Sequence, residues 1–354
     1  MKLTVATVTV PMRTTLHSGH GTVSGRELVR VTLGAADGLT GHGEAAPLAS
    51  YDGVSADEVR AALERCRPVL AQYPGHAPVA DVIARCAETT ILPQALAAID
   101  LALWDLAGRR AREPVWRLLG AAGGPGGPGP IEVNWTIAAA DRGAATLEAA
   151  QARAEGYRTL KVKVGLADDA PRVAAIRAFA GPEMAIRVDA NGAWDEDEAF
   201  VTLAELAPSA IELCEEPVHG LEAIAALRSR TEIPLALDES TEDPAAFAPG
   251  AAAVVPLACL KISRCGGITG ILAAAARARA AGYEVYLAST FDGPLGIAAA
   301  LHAAAVIRPA RACGLATLGL FDRDPTPLKV RDGALAVPLS PGLGIADPAG
   351  WYGA

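Results

Sequence analysis

One rhythm restricts the fold of this chain more than any other property. Eight short β-type runs, VNWTIAA, TLKVKVG, AIRVDAN, IELCEEP, PLALDES, CLKIS, EVYLAST and GLATLGL, alternate with helical stretches between residues 133 and 320. The runs close on polar groups: Lys161 and Lys163, Asp189 and Asn191, Glu215 and Glu216, Asp238 and Glu239, Lys261, then Ser289. From Lys163 the steps are 26 to Asp189, 26 to Glu215, 23 to Asp238, 23 to Lys261 and 28 to Ser289. One polar group per strand-and-helix unit is what a parallel (β/α) barrel requires, because the C-terminal ends of its strands meet in one mouth. An α/β fold with a barrel, not an open sheet, is the expectation.

Ahead of the barrel the character differs. KLTVATVTV and ELVRVTLGAADGLTGHGEA alternate with period two, and two helical patterns follow, one capped by Ser55 and one starting on Pro93. This α+β unit covers residues 1–125, and a stretch rich in Gly and Pro, GAAGGPGGPGPIE at 120–132, leads into a barrel over 126–321. Residues 322–354 read as a loop-like tail returning to the first unit.

Composition removes several functional classes. A formal net charge of −9 disfavours nucleic acid and anionic membrane as partners, since both reward a basic surface. The N-terminus alternates instead of presenting an export signal, and the Ala-rich stretches are too short to span a bilayer, so a cytoplasmic location is expected. Six scattered cysteines without a CxxC point to reduced thiols and no structural zinc. A small ligand is the default partner.

The chemistry rests on the strand-end groups. Carboxylates from three consecutive strands form a hard oxygen cage of the kind Mg²⁺ takes. Lysines from the second and sixth strands flank it, so a ligand at the cage would lie between Lys163 and Lys261. A close second cation, Lys161, together with partial burial is expected to favour neutral lysine and so a general base. The reaction suited to such a site is abstraction of a proton next to a carboxylate, whose enediolate product needs fixed positive charge; Lys with Mg²⁺ is a recognised pairing for it. Period two leaves open which of Glu215 and Glu216, and which of Asp238 and Glu239, faces the mouth.

Taken in order, KVKVG, RVDANGAW, CEEPV, ALDES and LKISRCGGITG, with ALAAIDLALWDLAGRRAREPVWRLLG ahead of them, resemble the muconate-lactonizing-enzyme subgroup of the enolase superfamily over nearly the whole chain. The resemblance implies a modified (β/α)7β barrel of the TIM type, with a capping domain built from the N-terminal part and the tail. It implies Mg²⁺ held by Asp189, Glu215 and Asp238 and an acid/base pair of Lys163 and Lys261; Lys161 is a third catalytic candidate, and Asn191, which shares Asp189's face, and Glu239 would stand behind the ligands, Asn191 orienting them or bound water. Oligomerisation is common in that family, so a homo-oligomer is compatible.

LASTFDGPLGIAAALHAAAVI and ACGLATLGLF look most like the o-succinylbenzoate synthase family of menaquinone biosynthesis, which places Ser289 and Gly314 at the succinyl end of the substrate. Dipeptide epimerases of the subgroup usually carry Asp-x-Asp in the eighth strand, where this chain has Gly314-Leu315-Ala316-Thr317. N-succinylamino acid racemases share the site and stay in contention, as do cycloisomerases. A non-catalytic binder of the same fold ranks last, and a Schiff-base lysine barrel is a further enzyme class. LHSGHGTVSG (16–25) and PLASYDG (47–53) look like the two capping loops that close over substrate, with His20 a candidate contact.

Simpler roles are expected elsewhere. Asp100 and Asp105 read as solvent-facing or interdomain groups on an amphipathic helix. The glycines of RCGGITG admit phosphate binding, although the full dinucleotide fingerprint is missing.

Overall fold

The computed structural model describes residues 1–18, 21–124, 126–250, 255–346 and 348–353. His20, a candidate substrate contact, lies outside the described residues.

Strands β1 (Lys2–Ser18), β2 (Gly21–Gly34) and β3 (Thr40–Ala45) form an antiparallel sheet in the order β1-β2-β3. Val29, Val31 and Leu33 lie on one face of β2 and are buried against helices Ala56–Ala71, Val79–Ala87 and Pro93–Ala111. The first helix starts where expected: the Ser55 hydroxyl accepts from the Glu58 amide, and the Glu58 carboxylate accepts from the Ser55 amide. The third begins with Pro93 in its first turn, where the missing N–H costs no hydrogen bond.

After the two-residue β4 (Ile131–Glu132), seven parallel strands run in chain order around one sheet. They are β5 (Trp135–Ile137), β6 (Thr159–Lys163), β7 (Ala185–Asp189), β8 (Ile211–Glu215), β9 (Leu235–Leu237), β10 (Leu257–Lys261) and β11 (Glu284–Ala288). The eighth run closes the ring without forming a regular strand. Cys313 bridges Val133 on one edge, Gly314 bridges Ala288 on the other, and the chain then turns into a 3₁₀ helix, Ala316–Leu320. A Cβ at Gly314 would stand 3.1 Å from the Ala288 Cβ, so glycine lets the closing segment approach this edge. The result is a (β/α)7β barrel with an α+β cap.

Cap and barrel are joined through buried carboxylates. Asp100 and Asp105, expected at a solvent face or an interdomain contact, are fully buried. Within the cap, Asp105 ties the returning tail to β3, accepting from the amides of His42 (2.9 Å) and Leu343 (2.8 Å) and from Arg109. Asp100 accepts from the Thr269 amide at the start of helix Gly267–Ala280. A Cβ at Gly267 would lie 2.5 Å from Asp100 Oδ1, so this glycine of RCGGITG makes room for the contact. Glu44 of β3 reaches the start of helix Pro294–Ile307, where its carboxylate accepts from the Gly296 amide (2.9 Å) and from the Tyr352 hydroxyl. The tail contacts both units: the Val115 amide donates to the Gly342 carbonyl and the Gly342 amide to the Glu113 carbonyl, both at 3.0 Å, while β12 (Ala334–Leu335) pairs antiparallel with β4.

The cap strand also touches the long helix at backbone distance. A Cβ at Gly43 would lie 2.1 Å from the Ala98 carbonyl oxygen, and one at Gly41 would lie 2.1 Å from that of Ala102. Gly43→Ala should therefore cost about 1–3 kcal/mol through forced separation; an unchanged urea midpoint would show that strand and helix can part freely. Burial, reinforced by nearby Asp292, pushes Glu44 up to about 7. A carboxyl raised in this way holds its proton more tightly when folded, so its contribution is full below pH 4.5 and is lost as pH rises through 7. Relative to Glu44→Gln, the wild-type chain should lose about 3 kcal/mol across that window, measured by urea titration at several pH values.

Candidate active site

Strand β6 explains how two lysines two positions apart are accommodated. Leu160 and Val162 face the helices, while Lys161 and Lys163 face the inside of the barrel. Parallel register sets Lys163 beside Asp189, and Asp189 beside Glu215, so ammonium and carboxylate groups arrive at one level. Lys161 Nζ donates to Glu215 and, at 2.8 Å, contacts Asp189 Oδ2. Lys163 Nζ donates to Asp189 Oδ2 and to Asn191 Oδ1, both at 2.7 Å. Across the mouth, Lys261 Nζ donates to both oxygens of Asp238. Each buried charge meets an opposite one, which is the condition for keeping it ionised.

The adjacent pairs separate as alternation requires. Glu215 faces the lysines, whereas Glu216, at φ +38°, accepts from the amides of Asp238 (2.8 Å) and Ser240 (3.1 Å) and pins the turn after β9. Burial and neighbouring Glu239 push Glu216 up to about 8. Asp238 faces Lys261, and Glu239 accepts from Asn191 Nδ2 at 2.9 Å. Lys163, Asn191 and Glu239 thus form a continuous hydrogen-bonded line.

Oxygen donors of Glu215 and Asp238 lie within 4.8 Å of each other and of the Cys259 sulfur. Asp189, expected to complete a carboxylate trio, is joined to Glu215 through the Lys161 ammonium instead. All three acids are buried at consecutive strand ends, and this oxygen donor set fits a hard divalent cation.

Lys161 was expected to act as the second cation that favours a neutral flanking lysine; Lys161 and the flanking Lys261 are both held by carboxylates. Burial pulls the Lys161 ammonium down, but Asp189 and Glu215 outweigh it and hold it well above its ordinary value. Lys261 is likewise raised, burial being overcome by Asp238. Each of these ammonium groups rests on a carboxylate; a second cation that draws that negative charge away favours the neutral amine, the form that can take a proton. Asp189 is held far below the carboxylate range because Lys161 and Lys163 overcome its burial. Glu215 is raised, with burial and the charges of Asp189 and Asp238 outweighing its single lysine.

Ser289 and Gly314 join Lys161, Lys163, Lys261 and Tyr51 around one cavity of about 60 Å³. Leu48 and Tyr51, from the 47–53 segment, also line it. Ser289 Oγ is 2.9 Å from Thr317 Oγ1 and accepts from the Asp292 amide.

Three side chains at this site escaped the sequence reading. The Tyr51 hydroxyl accepts from Lys261 and from Arg264 (2.8 Å) and donates to Asp238 (3.2 Å). Arg264 also donates to Glu242 and to the Glu239 carbonyl. Tyr51 stands in a segment assigned to the lid as a whole, and Arg264 in a turn read for its glycines. Cys259 was accessible to alternation, two residues before Lys261 on the same face.

Comparisons with known proteins bear on the fold and the family. Residues 1–120 match the mandelate racemase / muconate lactonizing enzyme N-terminal domain, and residues 144–346 match the enolase C-terminal domain-like family. The chain belongs to the enolase superfamily, in its muconate-lactonizing subgroup. Among superfamily relatives, the o-succinylbenzoate synthase of Mycobacterium tuberculosis is 40% identical over 218 residues, 58% of this chain and 64% of that protein. The chain thus aligns with less than two thirds of that relative's length. Muconate cycloisomerase 1 of Rhodococcus opacus is 30% identical over 91% of this chain and 89% of its own. A dipeptide epimerase from Enterococcus faecalis, solved with Mg and L-Leu-L-Tyr, superposes with a TM-score of 0.86 at 26% identity, covering 98% of this chain and 99% of that one. No helix among the described residues is long and apolar enough to cross a membrane.

Removing Lys161 leaves two buried carboxylates without their shared cation. Lys161→Ala should destabilise the chain by about 3–5 kcal/mol in urea unfolding at neutral pH; wild-type stability would mean that Asp189 and Glu215 do not depend on it.

Proposed function

We propose that this enzyme removes the proton α to a substrate carboxylate and, as its main activity, dehydrates a succinyl-bearing hydroxycyclohexadiene carboxylate to o-succinylbenzoate. The observation supporting this reading is the pair of ammonium groups, Lys163 on β6 and Lys261 on β10, facing one cavity from separate sides of a buried carboxylate cluster. The synthase relative and the placement of Ser289 and Gly314 on the cavity wall favour the substrate.

Asp189, Glu215 and Asp238 would hold Mg²⁺, which when bound supplies positive charge opposite the developing enediolate. Lys163 Nζ takes the α-proton, with Asn191 fixing the amine in place through the hydrogen bond the two share. Lys261 stays protonated and neutralises the negative charge from the other side. Lys163 then returns its proton to the departing hydroxyl, water leaves, and the ring becomes aromatic. Ser289 and the bare backbone at Gly314 leave space for the succinyl arm.

Racemisation or epimerisation of acylated amino acids is the second reading. Its support is the same two-sided arrangement, in which Lys163 and Lys261 could exchange protons at opposite faces of one carbon.

Purified chain with Mg²⁺ should convert the cyclohexadiene substrate to the aromatic product, followed by ultraviolet absorbance. Chelation should abolish turnover and added Mg²⁺ restore it, while Lys163→Ala and Lys261→Ala each lower kcat by about 10²–10⁴-fold. Unchanged substrate at saturating Mg²⁺ rules out the synthase. If N-succinyl amino acids then take up α-deuterium from D₂O and lose optical rotation, the racemase reading replaces it.

A further inference from the structure

We infer that Glu215, Asp238 and Cys259 form a site for a soft divalent ion such as Zn²⁺ or Cd²⁺, distinct in its donors from the all-oxygen set proposed for Mg²⁺. Donor atoms of the three residues, all buried, lie within 4.8 Å of one another. A tetrahedral ion with one sulfur and two oxygen ligands needs donors ~3.5 Å apart, from bond lengths of about 2.3 and 2.0 Å. Closing that gap draws Glu215 and Asp238 away from the Lys161 and Lys261 ammonium groups they now accept from. Thiolate is a donor that Mg²⁺ disfavours and thiophilic ions seek, so the replacement of one carboxylate by Cys259 changes which metal the site selects.

A second observation points into the same place. Tyr286, the register partner of Cys259 on β11, is 1% exposed, and its hydroxyl has no hydrogen-bond partner among the described residues. Tyr286 and Cys259 share one buried cluster inside the barrel with Leu213, Ala236, Leu257 and Ala288. A metal-bound thiolate would give this O–H an acceptor. Two carboxylates and a thiolate would overcompensate a divalent ion, and the Lys161 and Lys261 ammonium groups beside Glu215 and Asp238 balance the excess. Cys214, on the neighbouring strand, packs among apolar residues of the outer core and takes no part.

Glu215 and Asp238 belong to both donor sets, so occupancy of this site excludes Mg²⁺ from the cage. That competition rests on the proposed function; the thiolate contact does not.

The test uses the full chain, stripped with EDTA and titrated with CdCl₂ alone. A cadmium–thiolate charge-transfer band should grow and saturate at one ion per chain. It should vanish in Cys259→Ser, persist in Cys66→Ser and Cys265→Ser, and need roughly tenfold or more Cd²⁺ in Glu215→Gln. Cadmium NMR of the wild-type complex gives a readout independent of any variant, since a sulfur ligand shifts the resonance away from the all-oxygen range. No saturable band, an all-oxygen resonance, or an equal band in a folded Cys259→Ser overturns the inference. Excess MgCl₂ should raise the Cd²⁺ midpoint; a midpoint that does not move, with the band intact, counts against the Mg²⁺ set of the proposed function and leaves Cys259 as a ligand.

Discussion

Pairing of buried ammonium with buried carboxylate is the interaction on which this molecule is built. Lys161 is shared by Asp189 and Glu215, Lys163 is shared by Asp189 and Asn191, and Lys261 rests on Asp238. None of these charges would remain ionised in a dry barrel alone. Parallel register makes the pairing possible because it brings the ends of β6, β7 and β8 to one height. The balance is internal, so any cation or anion entering the mouth must displace an existing partner. That requirement turns a structural cluster into a chemically responsive one.

The cap is held together and attached by the same principle in a different form. Glu44, Asp100 and Asp105 each direct a buried carboxylate at backbone amides instead of at lysine. Two of those contacts, from Glu44 and Asp100, fall at helix starts, where unpaired N–H groups favour negative charge. Glycines at 41 and 43 allow β3 to lie against the long helix. This attachment places the 47–53 segment over the barrel so that Tyr51 meets Lys261 and Asp238. Cap and mouth therefore form one site, although their residues are remote in the chain.

Much of this was legible before any coordinates. Ser55 with Glu58 marked a helix start, and period two in TLKVKVG placed both lysines on one face. The regular recurrence of polar strand ends indicated a barrel. The eighth run misled because apolar residues matching a strand also suit a 3₁₀ turn, and closure needed only Cys313 and Gly314 to bridge the two edges. The lysines misled for another reason: position along a strand names the neighbours of a charge and leaves their relative distances open. Tyr51 carried no local signal, since its partner Lys261 is 210 residues away.

Sequence alone determined the periodic properties of this protein: element type, barrel class, and which strand ends carry charge. These follow from local stereochemistry and from hydrophobic alternation, both of which act over a few residues. Tertiary structure decided how those charges are shared, that Cys259 stands with Glu215 and Asp238, and that carboxylates hold Lys161 and Lys261 protonated. Coulomb energy and desolvation depend on separations of a few ångströms between groups distant in the chain, and only the folded backbone sets those separations.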